Sequence, residues 1–123
     1  MSQIRFTKEH EWVRIEGDVA VCGITGYAQK ALGDIVYVEL PELGKKVTQG
    51  GEVAVVESSK AASEIYSPID GEVVAANENL SGDPAKVNVD ALGAGWIFKL
   101  KPTNPAQLDG LMSEAEYQTY TKE

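Results

Sequence analysis

The sequence predicts a mainly β domain with helices appended at its end. Short alternating runs recur, among them WVRIE (12–16), VAVCGI (19–24) and DIVYVEL (34–40). Gly, Asp and Pro punctuate them where strands end and turns begin. After Asn104-Pro105 the apolar spacing changes, and Leu108, Leu111 and Met112 recur at helical intervals.

The elements follow in order. WVRIE and VAVCGI flank Gly17-Asp18, a pairing that predicts a two-residue hairpin. Cys22 is the single cysteine, so no intrachain disulfide can form, and its alternating neighbours make it a small strand residue. Thr25 is placed to cap a short helix over GYAQKAL (26–32), with Tyr27, Ala28, Ala31 and Leu32 on one side and Gly33 as the stop. The strand 34–40 closes at Pro41, and EVAVV (52–56), GEVVA (71–75) and WIFKL (96–100) supply three more. Trp12, Tyr37 and Trp96, with Val36, Val38, Val55 and Val74, are expected in the core. Asn104 is an expected N-cap with Pro105 at the first helical position. Ser113-Glu114-Ala115-Glu116 fits a capping box and starts a second helix.

Composition narrows the function. The 123 residues suit one domain, and 43% hydrophobic content suits a packed core. A formal net charge of -8 opposes binding to nucleic acid phosphates or to an anionic membrane surface. No apolar run is long enough to span a bilayer, and MSQIRFTKEH has neither a signal-peptide core nor an Arg-rich presequence. A cytoplasmic, bacterial protein is therefore expected. An enzyme is not. His10 is the single histidine, which precludes a multi-His metal site, and there is no nucleophile elbow or phosphate loop.

One lysine stands apart. Residues 57–64 read ESSKAASE, and turn signals flank Lys60 almost symmetrically at Gly50-Gly51 and Asp70-Gly71. EVAVVES leads up to it and ASEIYSP leads away, which places Lys60 near a β-hairpin tip. Ser58, Ser59, Ala61 and Ala62 leave its amine accessible to a modifying enzyme. A group tethered there would stay at high effective concentration near docked partners.

ESSKAASE resembles the lipoyl-lysine motif of the glycine cleavage system H proteins. HEWVRIEGDVAVCGIT, AQKALGDIVYVELPELGKKV, SPIDGEVVAANENL and GWIFKLKP resemble segments of that family, in its order. The resemblance covers nearly the whole chain. It implies a barrel-sandwich hybrid, the lipoyl/biotinyl-type motif of two small antiparallel sheets, with C-terminal helices. The hybrid core would span about 12–102 and the helical extension about 104–121 of a single domain, 1–123.

The resemblance also implies a non-catalytic carrier with lipoate amide-linked to Lys60. Glycine decarboxylase, a pyridoxal-phosphate enzyme, would load the aminomethyl group. Aminomethyltransferase would pass the methylene to tetrahydrofolate and release ammonia, and dihydrolipoyl dehydrogenase would reoxidise the dithiol. A lipoate ligase or an octanoyl/lipoyl transferase would install the group. Glu11 and Glu64 match positions lining the family's arm cleft, with Glu9 and His10 adjacent. Glu57 and Gly71 match positions read by the lipoylating enzyme, although Gly71 also suits a turn needing positive φ. Two positions depart from the family pattern: Ser59 is often Val, and Glu9 is often Ser, which places a second carboxylate beside Glu11.

Three other kinds of carrier compete with that resemblance. Biotin carriers flank the lysine with Met, unlike Ser59 and Ala61. Lipoyl domains of 2-oxoacid dehydrogenases favour Asp before the lysine and continue through linkers. A lipoate relay protein would use Lys60 equally well, and the neighbouring genes for the glycine decarboxylase and aminomethyltransferase would separate it.

Overall fold

The computed structural model describes residues 4–121. Among the described residues, nine strands form two antiparallel sheets. The larger contains β1 (Ile4–Phe6), β2 (Glu11–Glu16), β3 (Val19–Ile24), β5 (Lys46–Val47), β8 (Gly71–Ala76) and β9 (Phe98–Pro102), in the order β1-β2-β3-β9-β8-β5. The smaller is β4 (Ile35–Glu39), β6 (Glu52–Ser58) and β7 (Ala62–Tyr66), in the order β4-β6-β7. Neither sheet closes into a barrel, and together they form the expected sandwich of the lipoyl type.

Alternation within the strands fills the space between the sheets. Val13, Cys22, Val73 and Leu100 from the larger sheet meet Val38, Val56 and Ile65 from the smaller in one buried cluster. Cys22 is fully buried there, as its strand setting predicts, and burial pushes its thiol well up. Trp12 and Val21 face the other side of the larger sheet and pack with Phe6 and Tyr117 in a second cluster. Trp12 is fully buried, and its indole donates to the Ala91 carbonyl at 2.9 Å.

Three local signals act as the sequence predicts. Gly17, at φ 62°, turns β2 into β3 in the register Glu16↔Val19. Thr25 caps α1 (Gly26–Leu32) by accepting from the Ala28 N–H, and Gly33 ends it at φ 88°. Ser113 and Glu116 exchange hydrogen bonds at 3.2 and 2.9 Å, the capping box that starts α4 (Glu114–Thr121).

Other expectations need correction. Val36 and Tyr37 are 56% and 50% exposed because β4 is an edge strand with a bulge between Ile35 and Tyr37, which turns both outward. Val74 is exposed at the bulge between Val73 and Ala75, and Val55 lies half-buried on the outer face of the smaller sheet. Trp96 is half-buried and precedes β9, with the Lys99 ammonium 4.9 Å from its ring centroid. On α1, Ala28 and Leu32 pack on the core, while Tyr27 and Ala31 are exposed. Pro105–Gly110 is a 3-10 helix, and the Asn104 side chain makes no capping bond.

Four elements carried no signal strong enough to read: β1, β5, and the one-turn helices α2 (Asn79–Gly82) and α3 (Lys86–Val89). β1 pairs with β2 through Ile4↔Arg14 and Phe6↔Trp12, so the larger sheet starts before residue 12.

Candidate functional site

Lys60 sits at the tip of the β6–β7 hairpin, exposed, in the short loop between Ser58 and Ala62. The last ladder pair is Glu57↔Ala62, and the Ser58 N–H donates to the Ala61 carbonyl at 2.8 Å. Ser58 Oγ accepts from the Lys60 and Ala61 N–H groups, each at 3.1 Å. A serine hydroxyl thus replaces backbone partners in a turn too tight to supply them. Ser59, Ala61 and Ala62 are exposed and small, so nothing overhangs the amine.

A cleft of about 530 Å³ opens at the other end of the hairpin, lined by Thr7, Glu9, Glu11, Tyr66, Leu111 and Met112 among others. Glu11 is its buried acid, only 3% exposed. Its Oε1 accepts from the Thr7 hydroxyl at 2.9 Å and its Oε2 from the Tyr66 N–H at 2.8 Å. Burial pushes the carboxyl up to about 7, the neighbouring Glu9 charge adds to the rise, and the two hydrogen bonds oppose it. A buried acid held this way takes or releases a proton near neutrality.

Glu64 stands between tip and cleft. Ala62, Glu64 and Tyr66 share one face of β7 by the strand's alternation. Glu64 accepts from the Tyr66 hydroxyl at 2.9 Å, which raises the phenol pKa. The run from Ala62 to Tyr66 covers about 13 Å of strand. One strand face carrying Glu64 therefore runs from the lysine tip to Tyr66 at the Glu11 cleft.

The remaining candidates lie elsewhere. Glu57 is exposed beside the tip, opposite Ala62 and Tyr37. Gly71 is the buried first residue of β8 and is not a positive-φ turn residue, which corrects that expectation. A Cβ there would meet the Lys101 carbonyl at 2.8 Å, so close approach of β9 requires the glycine. His10 has a positive φ of 69° and its ring stacks on Tyr27 with centroids 4.5 Å apart. Its Nδ1 lies 2.8 Å from the Tyr117 hydroxyl, which also bonds Thr25 Oγ1 at 2.7 Å. Burial lowers the His10 pKa. His10 thereby clasps α4 to the turn that carries Glu11. Thr7 and Tyr66, which fix the Glu11 carboxyl, carried no signal in the sequence, because a backbone N–H and a common threonine are silent until the fold joins them.

The family model described as glycine cleavage H-protein matches residues 4–123. The chain belongs to this family. It is 59% identical over 120 residues to the glycine cleavage system H protein of Xanthobacter autotrophicus, covering 98% of this chain and 96% of that one. It is 56% identical over 122 residues to the H protein of Parvibaculum lavamentivorans, covering 99% and 98%. A solved glycine cleavage system H protein from Mycobacterium marinum superposes with a TM-score of 0.86 at 36% identity, covering 95% of this chain and 94% of that one. An H protein is a carrier component and not a catalyst. No described helix is long and apolar enough to cross a membrane.

Proposed function

We propose that this H protein carries lipoate as an amide on Lys60 and serves glycine cleavage as a single carrier domain, 1–123, in a bacterial cytoplasm. The observation that carries the reading is the exposed Lys60 at a hairpin tip among small residues, joined by one strand face to a buried acid. The residues fit the group: the amine is accessible, and the cleft of about 530 Å³ is partly apolar, with Leu111 and Met112 on its wall.

When bound, lipoate supplies a dithiolane that accepts the aminomethyl group from glycine decarboxylase, yields it to aminomethyltransferase, and returns two electrons through dihydrolipoyl dehydrogenase. Lys60 anchors the arm, and the Ala62–Glu64–Tyr66 face guides it toward the cleft. Glu64 and Glu11 are placed to hold a cationic amine, and a cation docking beside Glu11 draws that carboxyl back to its charged form. Docking in the cleft beside Leu111 and Met112 would screen the carbon from water and so protect a hydrolysis-prone group. Glu57 and Gly71 serve the lipoate ligase or octanoyl/lipoyl transferase, Glu57 as an exposed charge near the target and Gly71 by letting β8, the strand that follows the lysine hairpin, seat closely on β9.

The test is reconstitution. Lipoylated protein, mixed with the glycine decarboxylase, aminomethyltransferase, dihydrolipoyl dehydrogenase and tetrahydrofolate, should give glycine-dependent NADH formation, and Lys60→Ala should give none. Donation of lipoyl groups to an apo-dehydrogenase domain without glycine-dependent NADH would instead favour a relay role.

A further inference from the structure

The Lys60 stem lies against the corner between α1 and β4. A Cβ built on Gly33 would stand 3.4 Å from Lys60 Cε and 3.7 Å from Nζ. Gly33 also has φ 88°, where a side chain is strained. The glycine therefore ends α1 and leaves a bare shelf under the lysine. Asn88, from α3, holds that shelf from behind. Its Nδ2 donates to the Gly33 carbonyl at 2.9 Å and to Gln29 Oε1 at 2.8 Å, and its Oδ1 accepts from the Ile35 N–H at 2.8 Å. The Ser59 N–H donates to the Asp34 carbonyl at 3.2 Å, which ties the tip to the same corner. A two-strand hairpin needs none of these bonds to form; those of Asn88 hold the Gly33–Ile35 corner, and that of Ser59 ties the tip to it.

We propose that Gly33 and Asn88 build a platform that orients Lys60 for acylation, with Asn88 a positioning residue that acts through the Gly33–Ile35 backbone. The proposal rests on Lys60 being the attachment point. The step it serves is an acyl transfer. Neutral Lys60 Nζ attacks the carbonyl carbon of an activated lipoyl or octanoyl donor, either an acyl adenylate or a thioester. The N–C bond forms, the acyl C–O bond to AMP or the acyl C–S bond to the thiol breaks with its electron pair going to that leaving group, and the nitrogen's surplus proton passes to water. A free lysine stem loses rotamer freedom when an enzyme engages it. A stem already laid on a shelf loses less, so the platform lowers the KM for the protein substrate.

Two measurements test this. In the unmodified wild-type protein carrying 13C at lysine Cε, NMR relaxation should show Lys60 more restrained than Lys30 and Lys101. Asn88→Ala should release that restraint and lower kcat/KM for lipoyl transfer onto Lys60 by about two- to tenfold, carried in KM, with a cooperative melt retained. Lys60 as mobile as Lys30 in the wild type overturns the proposal even if Asn88→Ala fails to fold. So does a folded Asn88→Ala protein lipoylated at the wild-type rate. A Lys60→Ala protein that still gains a lipoyl group would sink the attachment reading itself, a result distinct from either.

Discussion

The Tyr66 N–H donates to Glu11 Oε2 at 2.8 Å, which joins the exit of the lysine hairpin to the first long strand of the other sheet. Glu11 is thereby a structural bridge and the buried acid of the cleft at once. The two roles pull against each other, since the bond favours the carboxylate and burial favours the acid.

That tension has a pH signature. The folded pKa of about 7 lies above the ordinary 4.5, so between those values the folded protein keeps a proton that the unfolded chain has released. Stability from this group is present below 4.5 and is lost as pH rises through 7, by about 3 kcal/mol over the whole window. Glu11→Gln removes the dependence. Urea unfolding at pH 5 and pH 8 should show the variant gaining on the wild type at pH 8. The depressed His10 pKa acts in the opposite direction, and the comparison between proteins cancels it. An identical stability difference at both pH values would contradict the assignment.

Gly71→Ala should destabilise the fold by about 1–3 kcal/mol, because the new methyl meets the Lys101 carbonyl where β8 and β9 pair. Denaturant melts measure it. Lipoylation of the folded fraction at wild-type rate would make the glycine's role one of packing, and slowed lipoylation of well-folded protein would give it a share in recognition.

Ser113→Ala should cost about 1 kcal/mol through loss of the capping box. The loss should fall on α4, which carries Tyr117 and Tyr120 onto His10. Hydrogen exchange would show faster opening of α4 with the sheets unchanged, and uniform loosening of the whole protein would argue against that localisation.

Local chemistry was legible in the sequence wherever the signal and the structure share a few residues. Gly17-Asp18, Thr25, Ser113 with Glu116, and the hairpin around Lys60 all act within one turn or one strand pair. Faces were less legible. Tyr37 and Val36 belong to a valine-rich strand that reads as core, and only the edge position and bulge of β4 turn them out. The shortest elements were silent: β5 is two residues and exists because β8 lies beside it. The same limit applied to the site. Lys60 and Glu11 could be picked out with family resemblance, whereas Thr7, Tyr66 and Asn88 act through contacts made across the fold.

The attachment of lipoate to Lys60 is the central claim, and intact mass tests it most directly. Wild-type protein and Lys60→Ala would be expressed with lipoate and a lipoate ligase and weighed whole. A gain of one lipoyl group in the wild type and none in the variant is the expected result. No gain in either protein, or the same gain in both, would contradict the account and leave the hairpin tip without its function.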